Sequence, residues 1–305
     1  CAWRSLTKKK GFSVVNIVGL AIGMAAALLI LTYVAFEYSY DDMHSRQDRI
    51  FRVEARFYEN GELTDDWASS SAGYATAMKQ NMSAVEAYTR VGSQYYPEQV
   101  VKYNELLYRE TGIGYAEANF FDFFDFKLLK GNKESCLDGP NKVVITERIA
   151  RKYFKGADPI GKILIFRSNI GEEACEVTGI MEDMPINTHI RYNLLISYKT
   201  LPKWMDEYWY RHEVYSYVLL KSANLKTQVE EDFPVMAEKY KTEEALKNKT
   251  WAIQLTNLRD IHLNPQKAYE PEVKGNRSSI WVLICTALAI LCIAWINYIN
   301  MTVAR

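Results

Sequence analysis

Residues that could carry out catalysis are scattered through the 305-residue sequence and are not grouped in recognised motifs. A phosphate-binding loop reads GxxxxGK followed by Ser or Thr, a zinc-protease helix HExxH, a serine-hydrolase turn GxSxG and a redox pair CxxC, and the sequence contains none of these. The histidines are also widely separated: His44, His189, His212 and His262. We therefore expect no catalytic residues, no metal site and no cofactor, and the chain is not expected to be an enzyme.

Two carboxylates in the segment FFDFFDF have a spacing that suits acid–base chemistry. Asp122 and Asp125 are three residues apart, which would place both on one side of a helix. The same spacing describes the solvated edge of a helix whose phenylalanines face inward. We favour the second interpretation.

A cluster of aromatic residues between 203 and 217 is a candidate binding surface. Trp204, Tyr208, Trp209 and Tyr210 could together form a platform for a sugar, a peptide or a partner protein. The alternative is that these rings cover the end of the strand that follows them. The sequence leaves both interpretations open.

Two long apolar runs decide where these residues lie. From Gly11 to Phe36 there are 26 residues without a charge, and 27 more lie between Arg277 and Arg305. A helix that crosses a membrane needs about 20 residues, whereas the apolar region of a signal peptide has roughly 7 to 15. We predict transmembrane helices at 12–36 and 279–304.

The distribution of charge predicts the orientation of the chain. Arg4 and Lys8 to Lys10 precede the first apolar run, so segment 1–11 should lie in the cytoplasm by the positive-inside rule. The region between the two runs then lies outside, with 32 basic and 37 acidic residues, a net charge of 32 − 37 = −5. Cys136 and Cys175 fall in this region, where a disulfide is permitted but not required.

The segment 37–278 has the pattern of an α+β domain. A hairpin that turns near Gly61 should begin it. Strands are predicted at 51–57, 85–91, 98–103, 106–116, 142–146, 162–166, 176–180, 191–198, 213–221 and 251–258. Helices are predicted at 72–82, 117–124, 147–154 and 225–240, the last interrupted or kinked near Pro234.

Small and amide residues in the apolar runs are candidates for helix packing. Gly19 and Gly23 form a GxxxG pair, which favours close helix contact, although glycine is also common in membrane helices generally. Asn16, Asn297 and Asn300 should lie near the inner ends of the two helices. Their amides would avoid lipid by bonding to protein, or would simply be solvated at the interface.

Several stretches resemble the permease subunits of MacB-like and FtsX-like ABC transporters. The opening AWRSLTKKKGFSVVNIVGLAIGMAAALLI resembles the first membrane segment of that class. The other matching stretches follow in the same order and cover most of the chain: YDDMHSRQDRIFRV (40–53), FFDFFDFKLLKG (120–131), KVVITERIARKYFKGADPIGKIL (142–164), EVTGIMEDMPINTHIRYNLLIS (176–197), LTNLRDIHL (255–263) and INYINMTVAR (296–305).

This resemblance implies a bacterial inner-membrane protein with a periplasmic core domain between its first two spans. That domain would have a porter-like part, built from the two ends of the segment, and an inserted lobe. ATP would bind only to a separate cytoplasmic ABC ATPase, whose hydrolysis would move the periplasmic domain for export or mechanotransmission. Further implied partners are a second permease unit (a homodimer or a fused repeat), membrane lipid and a periplasmic or outer-membrane protein, but no nucleic acid. The transported substrate is not implied.

A two-span receptor with a periplasmic ligand-sensing domain has the same topology and is the alternative function. The sequence after Arg305 would distinguish the two. A permease should continue within about ten residues as a basic helix, followed by two more spans. A receptor should continue as a helical linker of the kind that joins a sensor to a kinase.

Overall fold

The structure, a computed structural model, divides the chain into two compact units. It describes residues 10–92, 98–168, 171–207, 209–212, 214–240, 248–271 and 274–303. The first unit, here called the helical unit, comprises residues 1–40, 263–265 and 274–305. The second, here called the sheet unit, comprises residues 41–262 and 266–273 and lies within the predicted domain at 37–278.

The described residues form six α-helices and thirteen β-strands. The helices are α1 (Lys10–Tyr38), α2 (Gly73–Asn81), α3 (Phe120–Phe123), α4 (Glu147–Phe154), α5 (Lys226–Ala237) and α6 (Arg277–Val303). The strands are β1 (Ile50–Glu59), β2 (Glu62–Trp67), β3 (Val85–Gly92), β4 (Glu98–Tyr103), β5 (Leu106–Thr111), β6 (Ile113–Ala116), β7 (Leu128–Lys130), β8 (Lys142–Thr146), β9 (Ile163–Ser168), β10 (Gly171–Met181), β11 (Leu194–Ser197), β12 (Val214–Leu220) and β13 (Lys249–Asn257).

The helical unit consists of α1 and α6, which pack along each other. Ala27 and Val34 of α1 are buried, as are Ile280, Ala287 and Ala294 of α6. The buried apolar positions recur every seven residues, the spacing of two helices in left-handed contact. By length and composition both helices can cross a membrane, and most of their apolar side chains are exposed, as lipid-facing residues would be.

All thirteen strands of the sheet unit join one mixed sheet, which confirms the predicted α+β class. Its order is β13-β1-β12-β3-β6-β11-β8-β10-β9-β4-β5, with β2 on β1 and β7 on β10. Strands from the two ends of the segment therefore lie side by side at one end of the sheet, and the division into a porter-like part and an inserted lobe stays a prediction. Most pairs are antiparallel, but β8–β10 and β6–β11 are parallel.

Three details of the sheet unit show where residue types decide the backbone. Asn60 and Gly61 both have positive φ and form the predicted β1–β2 turn, because these residues tolerate that conformation best. The prediction of one continuous strand at 106–116 is wrong, because this segment forms the two strands β5 and β6. Gly112, with φ of +67°, ends β5 at the edge of the sheet and starts β6 within it. Helix α5 continues through Pro234 to Ala237, so no interruption occurs there.

Hydrophobic packing of the sheet unit forms separate clusters on the sheet. Helices α2 and α5 bury Tyr74 and Phe233 against Phe57 and Trp251 of β1 and β13. A second cluster is rich in phenylalanine from α3 and the residues after it. In the third, α4 packs Ile149, Tyr153 and Phe154 onto strands that include β8, β9 and β10. Thr146 caps α4, because its hydroxyl accepts a hydrogen bond from the Ile149 amide.

Candidate functional sites

The two glycines predicted to pack in the first apolar helix lie in different surroundings. A Cβ added at Gly23 would lie 3.6 Å from Ile290 Cγ2 and 3.9 Å from Ala294 Cβ, which is ordinary van der Waals contact with α6. A Cβ at Gly19 would have nothing within 4 Å. Gly23 therefore faces the second apolar helix and Gly19 does not, while a functional role for the GxxxG pair stays a prediction.

The structure describes the side chains of two of the three amide residues near the inner ends of the helices. Asn16 and Asn297 are both partly buried, on the same helix faces as the packed residues. The side chain of Asn300 lies outside the described residues. Bonding of these amides across the helices stays a prediction.

The strongest polar constellation of the sheet unit is built around Asp41, three residues beyond the end of α1. Its carboxylate accepts hydrogen bonds from Thr188 Oγ1 at 2.5 Å and pairs with His189 Nδ1 at 2.7 Å. The other ring nitrogen of His189 lies 2.8 Å from the hydroxyl of Tyr217 on β12. These four residues, here called the Asp41 cluster, are all buried.

Electrostatics and backbone geometry both mark the Asp41 cluster as a fixed point. Burial would raise the pKa of Asp41, but the charge and hydrogen bond of His189 outweigh it and hold that pKa below its usual range. Asp41 also has φ of +59°, a conformation that is uncommon for a residue with a side chain. Its backbone N–H donates to the Asn187 carbonyl at 3.0 Å, which helps to maintain this conformation.

His44 is a second buried histidine close by in the sequence. Its Nδ1 accepts a hydrogen bond from the Asp125 amide at 3.1 Å, and its ring packs against Phe124 and Phe126. Burial lowers the pKa of His44 to about 4, so the ring is neutral at pH 7. The neutral ring packs against the phenylalanine side chains that follow α3.

A larger ion network joins β1 to the segment that follows β13. Arg52 donates to Glu54 at 2.7 Å and to Glu270 at 2.6 Å, and its side chain is only 1% exposed. Lys267 Nζ lies 2.9 Å from Glu54 and 2.7 Å from Asp66. We call these five residues the Arg52 network. Their pairing fixes residues 267–270 against β1 with buried charges on both sides.

The pKa values of the Arg52 network show that its charges are retained in the interior. Burial would lower the pKa of Arg52, but the charges of Glu54 and Glu270 outweigh it and raise that pKa. Burial would raise the pKa of Glu54, but Arg52 and Lys267 hold it below its usual range. Each buried charge is therefore stable only while its partners are present.

The described residues of the aromatic cluster differ in exposure, and one of them belongs to the interior. Trp209 is 4% exposed and stacks on Tyr240 with ring centroids 4.2 Å apart, and Tyr210 packs against Phe57. Burial removes Trp209 from any surface platform, so for this ring the structure favours the alternative of a packing role. Trp204 is 49% exposed, so partner binding there stays a prediction, and Tyr208 lies outside the described residues.

The remaining candidate residues do not assemble into a reactive site. Within the described ranges, no group of three or more His, Cys, Asp or Glu side chains could hold a metal ion. Asp122 and Asp125 do not share a helix face, because α3 ends at Phe123, and Asp125 instead accepts a hydrogen bond from the Ser45 amide at 2.5 Å. Cys136 and Cys175 are free thiols in separate hydrophobic clusters.

Comparison with protein families places this fold. The model of the MacB-like periplasmic core domain matches residues 13–234, more than half of the chain. The chain belongs to the MacB-like periplasmic core domain family. This assignment agrees with a permease of the MacB-like and FtsX-like ABC transporter class, and it makes the sheet unit a periplasmic-type domain.

One solved structure shares this fold, and two others match it more weakly. A domain of a permease protein from Porphyromonas gingivalis matches with a TM-score of 0.62 and 23% identity, over 75% of this chain and 95% of that one. The periplasmic region of MacB from Actinobacillus actinomycetemcomitans matches with a TM-score of 0.42 and 18% identity, over 65% of this chain and 87% of that one. The extracellular domain of the ABC-type transporter YknZ from Gram-positive bacteria matches with a TM-score of 0.46 and 16% identity, over 68% of this chain and 100% of that one. A comparison with curated proteins finds no match.

Proposed function

We propose that this chain is a permease subunit that couples ATP hydrolysis by a separate cytoplasmic ABC ATPase to movement of its periplasmic domain. The observation that carries the proposal is the family match, which begins inside α1 and extends into α5 of the sheet unit. Two helices suited to crossing a membrane flank that domain in sequence. The domain then acts by moving or by touching partners, and the chain binds no nucleotide.

Support for a mechanical role comes from how the chain ends of the domain are held. Asp41 follows the first apolar helix and is fixed by buried hydrogen bonds to Thr188 and His189. Glu270 precedes the second apolar helix and is fixed by the buried Arg52. These paired buried groups fix the sheet unit near the points where its chain leads to the two apolar helices, so a displacement of either helix would act on a held part of the sheet.

The experiment is ATP turnover in two preparations of the natural protein. The purified permease alone should hydrolyse no ATP. The permease reconstituted in proteoliposomes with the ABC ATPase that co-purifies with it should show turnover that differs from that of the ATPase alone. Turnover by the permease alone, or an ATPase rate that is unchanged by the permease, would contradict the proposal.

A further inference from the structure

The connection between β10 and β11 presents an apolar tip to the surface. Pro185 and Ile186 are both exposed, and Ile186 is 70% exposed. Met43, two residues after Asp41, is also exposed, at 38%. Pro185 and Ile186 adjoin each other, and adjoining exposed apolar side chains indicate a contact surface more often than scattered ones do.

This tip is held in one position by the Asp41 cluster. Asn187, next to Ile186, accepts the backbone hydrogen bond of Asp41, and the two residues after it bond to the Asp41 carboxylate. Arg191 completes the turn, because its guanidinium donates to the carbonyls of Ile186 and Thr188. The exposure of Ile186 is therefore built into a braced turn.

Chain continuity limits how far this braced turn can be from the first apolar helix. Helix α1 ends at Tyr38, and Asp41 is three residues later. Three residues span at most about 11 Å, even when fully extended. The headgroup layer of a bilayer is roughly 5–8 Å thick on each side. A helix that crosses the membrane at α1 thus keeps the Asp41 cluster and the attached tip within short reach of the outer membrane surface.

Basic side chains accompany the apolar tip. Arg148 and Arg191 are exposed and line a cleft of about 420 Å³ beside Ile186. Arg148 donates to Asn193 Oδ1 at 2.5 Å, and Arg191 donates to the two turn carbonyls. The carboxylate of Asp183, in the same cleft, is already engaged by the Arg148 amide at 3.0 Å and by Arg151 at 3.3 Å. Guanidinium groups suit phosphate oxygens, and an apolar tip flanked by arginine suits the boundary between headgroups and acyl chains.

We propose that the Ile186 tip contacts the outer surface of the membrane that α1 crosses. Ile186 and Pro185 lie at the headgroup boundary, and Arg148 and Arg191 face lipid phosphates. The inference rests on the proposed function only in that α1 spans the bilayer, and it requires neither the ATPase nor transport. The contact would limit how far the periplasmic domain can tilt relative to the membrane.

The test places an environment-sensitive label at the tip and at a matched control. In the full chain with its native cysteines replaced, Ile186→Cys and Val235→Cys are each labelled with a nitrobenzoxadiazole dye and reconstituted in vesicles of phosphatidylethanolamine and phosphatidylglycerol. Val235 is the control because it is 74% exposed and lies on α5. We expect blue-shifted emission at 186, quenched by nitroxide lipids, and water-like emission at 235.

Two outcomes would overturn the inference. One is water-like, unquenched emission at 186 that matches the control. The other is blue-shifted emission at 186 that nitroxide lipids do not quench, because a protein partner or a second copy would then cover the tip. The Ile186→Asp variant should shift the apparent position of a label at Pro185 toward water. If ATP coupling is intact while label 186 is in water, only this inference fails and the proposed function stands.

Discussion

Removing Arg52 from the interior should destabilise the periplasmic domain far more than removing a surface arginine. Arg52→Met would take from the buried Glu270 the guanidinium that it pairs with at 2.6 Å, while Glu54 keeps Lys267 and a hydrogen bond from Thr256. Breaking a buried pair by deleting one partner costs about 3–5 kcal/mol. For a domain of this size, that corresponds to a decrease in Tm of roughly 6–20 °C.

We expect residues 40–275 to fold as a soluble domain without the two apolar helices. The assay is urea and thermal unfolding of this fragment, followed by tryptophan fluorescence and circular dichroism. Arg49→Met is the matched control, because Arg49 pairs with Glu86 at the surface and such pairs contribute less than about 1 kcal/mol. Arg52→Met combined with Glu270→Met should recover much of the loss, since the buried carboxylate that paired with Arg52 is then removed as well. The reasoning is refuted if Arg52→Met and Arg49→Met unfold at the same urea concentration.

Three further predictions concern the same fragment and the full chain. The free energy of unfolding should fall by about 3 kcal/mol as the pH falls from 6.5 to 4. The reason is that His44 is protonated in the unfolded chain over this range, whereas its buried ring in the folded protein has a pKa of about 4. Urea unfolding at each pH measures this, and a His44→Gln fragment with the same acid dependence would contradict the prediction. Burial raises the pKa values of Cys136 and Cys175 to about 11 and about 12, so neither thiol should react with Ellman's reagent at pH 8 until urea is added. Prompt labelling of the native fragment, or a disulfide seen by mass spectrometry, would show the prediction to be wrong. In the full chain in detergent, Gly23→Leu should lower the Tm because the side chain meets α6, whereas Gly19→Leu should not; equal Tm values for the two variants would exclude the packing role of Gly23.

The sequence predicts the elements of this fold well where hydrophobic periodicity is strong. The two apolar helices, the β1–β2 turn at Asn60–Gly61 and the amphipathic α4 all follow from local residue patterns. The error at 106–116 arose because alternation continues across Gly112, and only tertiary contacts divide the segment there. Strand β7 has three residues, too few for a periodic signal.

The buried polar groups could not be predicted from local patterns. Asp41 and His189 are 148 residues apart, and no pattern in either segment indicates that the two side chains pair. Arg52 and Glu54 alternate on one face of β1 as solvent-facing residues would, yet both are 1% exposed because Glu270 and Lys267 return over them. Trp209 likewise lies in an aromatic-rich segment that could form a surface platform, but its side chain is buried in the core. Long-range pairing decides these cases.

Movement of the periplasmic domain relative to the spans, driven by ATP, is the central claim and can be measured directly. Spin labels at Val235 on α5 and Ile293 on α6, both exposed, report the distance between domain and membrane helix within one chain. The permease is reconstituted with its ATPase and measured by pulsed electron–electron double resonance without nucleotide and in a trapped ATP state. The proposal predicts distance distributions that differ between the two states. Identical distributions, in a preparation that turns over ATP, would contradict it.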